Sequence, residues 1–186
     1  MRKAIVSALM MTLLLLPGCG EREARLEKGF ADLRQAVTVA QSICFQAELT
    51  ADYGETVSDY TLSASYDGQE TTVEVLEPAL IAGVKASAKR GETTVSYEGV
   101  QLGAGPLDAE GLTPMSAIPV MLDAMANSYV ELLWWEGDTI AARLYVGENS
   151  VVTLWLDKET YAPVAGEIAS EGRTVITMQI TDWQVS

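Results

Sequence analysis

The chain has 186 residues, with 12 basic residues, 26 acidic residues and no histidine, which gives a formal net charge of −14. A surface this negative repels nucleic acid and anionic lipid headgroups, so a nucleic-acid partner is not expected. Without histidine, a general base near neutral pH would have to be a carboxylate or a lysine with a strongly shifted pKa.

The first nineteen residues have the pattern of a secretory leader. Arg2 and Lys3 provide a charged start, and thirteen largely apolar residues follow over 4–16. That run is too short to cross a bilayer of roughly 30 Å as a permanent helix. Leu16-Pro17-Gly18-Cys19 then resembles the lipobox at which lipoprotein signal peptidase cleaves. The pattern predicts a removable signal peptide.

The predicted domain boundaries follow from this leader. Residues 1–18 form the signal peptide, 19–23 a lipidated tether and 24–186 one domain, which is long enough to bury a core of its own. The lipid on Cys19 would anchor this domain to a membrane. We therefore expect an extracytoplasmic location in the cell envelope.

The cysteines and the residues around Cys19 leave two alternatives open. Pro17 departs from the small or β-branched residue usual at its position, so ordinary cleavage near Gly18 or Gly20 is the alternative to lipidation. After Cys19 only Cys44 remains, so no intramolecular disulfide can form. We expect Cys44 to be a small buried hydrophobic residue, with an intermolecular bridge as the alternative.

One amphipathic helix opens the domain. Apolar residues recur there at spacings of three and four, which predicts a helix over roughly Glu21 to Ile43. The residues of this stripe are Leu26, Phe30, Leu33, Val37, Ala40 and Cys44.

After this helix the apolar period changes to two, which is typical of half-buried strands. Phe45–Tyr53, Thr61–Tyr66 and Thr71–Leu76 are three predicted antiparallel strands, with Asp67-Gly68 as a tight turn. Further strands are predicted over Leu80–Ala88, Thr93–Leu102, Tyr129–Trp135, Thr139–Val146, Val151–Leu156, Val164–Ala169 and Val175–Trp183. About ten strands in hairpin order predict a mainly β fold with α, in which one antiparallel sheet curls into an incomplete barrel.

A second helical segment lies over Thr113–Asn127, after an irregular approach over Gly103–Pro114. Pro119 lacks a backbone donor, so we expect a broken helix or two short ones that cover the concave face of the sheet. Three of the four methionines that remain after the leader lie in this segment. Flexible thioether side chains adapt to variable apolar shapes, which favours a movable lid over a cavity, with simple gap-filling as the alternative.

Motifs of catalysis and metal binding are missing from the sequence. It has no Gly-x-Ser-x-Gly elbow, no cysteine pair at zinc spacing and no glycine-rich phosphate loop. Carboxylate pairs such as Asp108 and Glu110 are interpreted as solvated surface acids. We therefore expect no catalytic residues, no metal and no cofactor.

Two of the predicted strands are apolar on both faces. In a sheet with one solvent-exposed face, apolar and polar residues should alternate more strictly. Some of these side chains should therefore contact a helix, a ligand, a partner or a neighbouring subunit. A thick core is the alternative. The residues on the two faces are Val130, Leu132 and Trp134 against Tyr129, Leu133 and Trp135, and Val152, Leu154 and Leu156 against Val151 and Trp155.

The order of elements resembles the LolA/LolB family of lipoprotein carriers and receptors. Val75–Ile81 is similar to the family's strand that ends in proline, and Gly91–Tyr97 to one of its hairpins. Thr113–Asn127 resembles the lid segment, and Leu154–Pro163 the late hairpin. The resemblance implies an incomplete antiparallel barrel with an N-terminal helix and lid helices over an apolar cavity.

The resemblance also implies a ligand and its site. An acyl chain or a lipoprotein cargo would lie against apolar residues of the late strands and of the lid. These residues are Trp134, Trp155, Leu132, Leu154, Met115, Ile118, Met121, Leu122 and Met125.

Two departures from the family point to other functions. Carrier members have a basic residue before the strand-ending proline, where this chain has Glu77, so a carrier latch is not expected. The anchor at Cys19 resembles the receptor branch, or Gram-positive lipoproteins of the GerS type, which bind a cell-wall amidase. A scaffold for a cell-envelope protein is therefore the alternative function. The open edges of an incomplete barrel also allow a homodimer.

Overall fold

The computed structural model describes residues 19–186, and the predicted signal peptide lies outside these residues. Two helices and eleven strands follow one another within residues 19–186. Their bounds are α1 Cys19–Val39, β1 Ile43–Asp52, β2 Val57–Tyr66, β3 Thr71–Glu77, β4 Lys85–Lys89, β5 Glu92–Tyr97, β6 Val100–Pro106, α2 Pro114–Asn127, β7 Val130–Glu136, β8 Thr139–Tyr145, β9 Ser150–Asp157, β10 Pro163–Ser170 and β11 Arg173–Val185.

All eleven strands belong to one sheet in the order β6-β5-β4-β3-β2-β1-β11-β10-β9-β8-β7. Within each of the two meanders β1–β6 and β7–β11, consecutive strands pair antiparallel, and the meanders meet where β1 pairs with β11. Within the described residues, β6 and β7 pair on one side only. The predicted incomplete antiparallel barrel with an N-terminal helix is confirmed.

Both helices pack on one face of the sheet, called here the concave face. In β1 the residues on this face, Ile43 to Ala51 at every second position, are buried, and those between them are exposed or half-buried. Side chains of α1 and α2 join them in one core. The core therefore follows from the period of two in the strands and from the apolar stripe of each helix.

The stripe predicted for α1 is confirmed for its first four residues, Leu26, Phe30, Leu33 and Val37, which are buried. The helix nevertheless ends at Val39, because the N–H groups of Gln41 and Ser42 donate to the Ser186 carbonyl at 2.7 and 3.0 Å. Ile43 and Cys44 therefore begin β1. Cys44 lies on the convex face and is exposed, so the expectation that it is buried was wrong.

The predicted strand Thr93–Leu102 is two strands, β5 and β6. A turn at Glu98-Gly99 separates them, and both residues have positive φ, 48° and 82°. Such a pair is the geometry of a type I′ hairpin turn, which can place glutamate in the first position at some cost. The sheet consequently has eleven strands instead of about ten.

The break expected in the second helix was also wrong, because α2 continues through Pro119. Ile118, Met121 and Met125 have no exposed surface. Burial of three such side chains contributes about 1.5–3 kcal/mol each, which offsets the roughly 3 kcal/mol that an internal proline costs. A capping box also holds the helix start: the Ser116 N–H donates to Thr113 Oγ1 at 3.2 Å, and the Thr113 N–H donates to Ser116 Oγ at 3.1 Å.

Candidate functional site: a groove on the concave face

The helices cover only part of the concave face. Val73, Ala86, Val95 and Leu102 are paired directly across β3, β4, β5 and β6, so their side chains point to the same side of the sheet. Val73 is fully buried and Ala86 is 3% exposed, Val95 is half-buried, and Leu102 is 66% exposed. The apolar face thus passes from the core into solvent along one row.

A groove lies where this cover ends, between α2 and strands β2–β4. It consists of two hollows of about 500 and 270 Å³, which share Thr71, Pro119 and Asp123 in their linings. The larger is lined by Thr71, Ala88, Arg90, Gly91, Leu107, Ala109, Pro119, Val120, Asp123, Ser128, Tyr145 and Val146. The smaller adds Val37, Thr38, Tyr66, Leu122, Ala126 and Asn127.

Half of the residues that line this concave groove are aliphatic, and Arg90 and Asp123 are the charged ones. Asp123 and Arg90 are exposed, and the Asn127 amide donates to Asp123 Oδ1 at 2.7 Å. A hydrogen bond with Glu131 raises the pKa of the exposed Tyr145 hydroxyl above its usual value. Apolar walls with polar groups at the rim suit a ligand with an apolar body and a polar end.

The C-terminal end of α2 is attached to α1 by one side chain. Arg34 Nε donates to the Met125 carbonyl at 2.9 Å, and its terminal nitrogen donates to the Ser128 carbonyl at 2.6 Å. The guanidinium also lies 4.9 Å from the centre of the Phe30 ring. Partial burial lowers the pKa of Arg34, but it stays charged and complements the carbonyl groups at the end of α2.

Side-chain hydrogen bonds also hold the segment before α2, residues 107–113, to the start of α2 and to the sheet. Asp108 Oδ2 accepts hydrogen bonds from the Leu112 N–H at 2.8 Å and the Ser116 hydroxyl at 3.0 Å. Glu110 Oε2 accepts from the Ser150 hydroxyl at 2.9 Å. Asp108 and Glu110, interpreted from the sequence as solvated acids, therefore hold the start of α2 and its approach against the sheet.

Gly111 lies in the same segment, with φ at +71°. A Cβ atom at this position would lie 2.9 Å from Ile168 Cδ1 and 3.0 Å from Val120 Cβ. Only glycine fits both the backbone conformation and the space, so the path of the chain into α2 depends on this residue.

The structure distributes the predicted ligand-binding residues over three environments. Leu122 alone lines the concave groove. Ile118, Met121, Met125 and Leu154 are fully enclosed in the core, and Met115 is partly buried against it. Leu132, Trp134 and Trp155 lie on the convex face, because their neighbours Leu133, Leu154 and Leu156 along the same strands point inward.

The convex residues form a cluster of their own. Trp134 and Trp155 flank Ala141, with which each is paired across the sheet. Both indole N–H groups donate to Glu136 Oε2, at 3.1 and 3.0 Å. The Arg143 guanidinium lies 5.8 Å from the centre of the Trp134 ring. Apolar side chains on both faces of β7 therefore have two explanations, a core on one side and an indole cluster on the other.

A third of the groove-lining residues lie outside helices and strands and could not be found from the sequence. Arg90, Gly91, Leu107 and Val146 lie in turns and loops, where no hydrophobic period exists. Pro119 was the one available signal, since it lies outside the methionine stripe on a helix whose stripe faces the core.

Comparison with known proteins rests on structure alone, because no protein-family model and no curated protein sequence matches the chain. A candidate outer membrane lipoprotein-sorting protein domain from Vibrio parahaemolyticus has a TM-score of 0.50 at 10% identity, covering 87% of this chain and 93% of the other. An uncharacterized conserved protein from Thermus thermophilus also has a TM-score of 0.50, at 11% identity, covering 86% and 87%. A LolA superfamily protein from Nitrosomonas europaea has 0.48 at 13% identity, covering 87% and 93%.

These similarities concern the fold. The predicted resemblance is confirmed at that level, since this open antiparallel half-barrel superposes on the Vibrio domain over 87% of its length. Neither helix within residues 19–186 is long and apolar enough to cross a bilayer.

Proposed function

We propose that this protein is an extracytoplasmic lipoprotein, anchored through lipid on Cys19, that binds an acyl chain of a lipid or lipoprotein in the concave groove. The observation that carries the proposal is the row from Val73 to Leu102, along which an apolar face leaves the core without a cover. The fold shared with a candidate lipoprotein-sorting domain supports it.

The groove and the uncovered strip are continuous. Ala88, which lines the larger hollow, lies two residues from Ala86 and on the same side of β4. Beyond it, Val95 and Leu102 extend the apolar surface to the edge of the sheet. An acyl chain in the groove would therefore remain in contact with apolar side chains as it passes outward, and each buried methylene would contribute about 0.8 kcal/mol.

The protein would bind its ligand without catalysis, and the enclosed methionines of α2 would contact only a longer acyl chain. Met121 and Met125 have no exposed surface, so a ligand in the groove lies beside α2 and not beneath it. A longer chain would reach these side chains only after α2 separates from Arg34. The predicted lid would then be a helix that moves as one unit.

The test is direct detection of bound lipid. Native mass spectrometry of the purified protein should show co-purified lipid, and a fluorescent fatty-acid probe should bind and be displaced by unlabelled fatty acid. Ala126→Trp should fill the smaller hollow and weaken probe binding at least tenfold, whereas Ala31→Trp, on the exposed side of α1, should leave it unchanged. A protein that carries no lipid and binds no probe would refute the proposal.

The anchor is tested separately. Mass spectrometry of the processed protein should show lipid on an N-terminal Cys19, and Cys19→Ser should release the protein from the membrane fraction. An unmodified chain cleaved near Gly18 or Gly20 would contradict the anchor without bearing on the groove.

A scaffold that binds a cell-wall enzyme, such as an amidase, is the second candidate function. The filled core beneath α2 and the unpaired edge of β6 favour it, since β6 carries no charged residue and exposes Val100 and Leu102. Leu102→Lys should abolish copurification of a stoichiometric enzyme from envelope extracts, whereas Val57→Lys, at an exposed position away from the edges, should not. Retention of the enzyme by both variants would exclude the β6 edge as its site.

A further inference from the structure

Three of the four tryptophans lie at one end of the sheet, next to the β7–β8 turn. Trp134 and Trp135 are the last residues before Glu136 at that turn, and Trp155 lies two strands from Trp134. Leu132, 51% exposed, extends the apolar surface along β7. We call these four residues the tryptophan rim. Trp135 faces the concave side of the sheet, the other three face the convex side, and all three indoles are half-buried. The fourth tryptophan, Trp183, packs elsewhere, with its ring centre 5.2 Å from that of Phe45.

The first turns of α1 are attached to this rim. The Trp135 indole N–H donates to the Arg22 carbonyl at 3.4 Å. The guanidinium groups of Arg22 and Arg25 lie 5.4 and 5.9 Å from the centre of the Trp135 ring. These cation–π contacts and the hydrogen bond fix the start of α1 against β7.

Cys19 belongs to the same helix and precedes Arg22 by three residues. At 1.5 Å per residue, the backbone of Cys19 lies roughly 4.5 Å along the helix axis from that of Arg22. Residues 19–23, which the sequence predicts as a tether, are therefore a helical turn and not an extended linker. A lipid attached at Cys19 would enter the bilayer close to the rim.

We propose that the tryptophan rim rests in the headgroup region of the membrane that holds the anchor. This inference rests on the proposed lipidation of Cys19. Indole rings combine an apolar body with one N–H group and concentrate at the membrane–water interface, and arginine beside them binds phosphate. The occupant follows from the position of the anchor, because the helix that begins at Cys19 contacts Trp135 through Arg22 and Arg25 in its first two turns.

Charge specifies which lipids suit this contact. Glu136 and Asp138 lie at the turn itself, and Lys158 pairs with Asp138 at 2.6 Å. Arg22, Arg25 and Arg143 beside the indoles attract phosphate, but the chain as a whole carries a net charge of −14, which repels an anionic surface. The rim therefore suits zwitterionic headgroups better than anionic ones.

The test uses the lipidated protein reconstituted in phosphatidylcholine vesicles, half of them with brominated acyl chains that quench tryptophan emission. Rim indoles should lose at least half of their emission in the brominated vesicles. Trp183→Phe removes the tryptophan away from the rim, so the quenched fraction should rise. Trp134→Phe with Trp155→Phe removes two rim indoles, so the quenched fraction should fall. Replacing half of the lipid by phosphatidylglycerol should reduce quenching.

The outcomes separate this inference from the proposed function. Anchored protein whose emission is equal in both kinds of vesicle overturns the rim contact and leaves the anchor and the groove standing. Quenching that is the same in both phenylalanine variants also overturns it, because the bilayer would then contact all sides equally. Circular dichroism of each variant confirms that it is folded. Protein without lipid on Cys19 fails at the mass-spectrometry step, before the vesicle measurement.

Discussion

Strands β1 and β6 both place apolar side chains on the concave face, and they differ in what covers them. Ile43, Phe45 and Leu49 of β1 are buried beneath the helices, whereas Val100 and Leu102 of β6 are largely exposed. The alternation of apolar and polar residues along a strand therefore identifies its apolar face. Whether that face is core or binding surface depends on whether a helix packs against it. The first three predictions compare the part of the concave face that the helices cover with the part that they leave uncovered.

The largest difference in the free energy of unfolding is expected when leucine is replaced by alanine beneath the helices and at the uncovered end of the sheet. Leu154→Ala removes a fully enclosed side chain and should lower the free energy of unfolding by about 2–5 kcal/mol. Leu102→Ala, at the exposed end of the same face, should lower it by less than about 0.5 kcal/mol. Urea denaturation of both variants provides the measurement, and equal losses would mean that β6 is covered in solution.

Two glycines with positive φ give the next comparison. Gly111→Ala introduces backbone strain and a clash with Ile168, so the free energy of unfolding should fall by about 2–4 kcal/mol. Gly99→Ala, at the β5–β6 turn with open space around it, introduces strain alone, and about 1–2 kcal/mol is expected. Thermal unfolding of the pair separates the clash from the strain, and equal effects would show that the Gly111 segment relaxes.

Arg34→Ala should loosen the attachment of α2 to α1 without affecting strands β5 and β6. It removes a charged donor from the Met125 and Ser128 carbonyls, at a cost of about 1–3 kcal/mol. Hydrogen exchange should accelerate in the C-terminal half of α2 and stay unchanged in β5 and β6. Arg34→Lys serves as the control for charge, because it keeps the cation but not the paired hydrogen bonds.

The smallest effect concerns pH. Hydrogen bonds from Thr160, through its N–H and hydroxyl, and from the Glu159 N–H lower the pKa of Asp157 in the β9–β10 turn below its ordinary value. A lowered pKa in the folded state stabilises the protein above the unfolded-state pKa, and this stabilisation is lost as the pH falls through the folded-state pKa.

Asp157→Asn should therefore flatten the loss of stability on acidification below about pH 4. The measurement is the urea midpoint as a function of pH, with Glu171→Gln at an exposed turn as the control. Parallel curves for the wild type and Asp157→Asn would contradict the assignment.

The fold was predictable because its signals are local. Periods of two and of three to four residues located ten of the eleven strands and both helices, and the short links indicated an antiparallel order. The errors lie where a distant contact overrides a local preference. The bonds of Gln41 and Ser42 to Ser186 end α1 at Val39, and burial of Met121 carries α2 through Pro119.

The site was less predictable, because the face of the sheet to which a strand side chain points depends on the pairing register of that strand. Trp134 and Trp155 are one residue from side chains that point inward, and a strand's two faces cannot be told apart when both are apolar. The groove depends moreover on turns, such as Arg90-Gly91, that carry no periodic signal. Of the predicted set only Leu122 lines the groove, and it lies at the border of a helical stripe that otherwise faces the core.

The pairing of β1 with β11 joins residues 43–51 to residues 176–185 at the centre of the sheet. Contacts this far apart in sequence form late, because the whole intervening chain must first be confined. Strand β1 can complete its central pairing only after β11 has left the ribosome. This delay would suit the export that the predicted signal peptide implies, since a chain that has not finished folding can pass through a translocation channel.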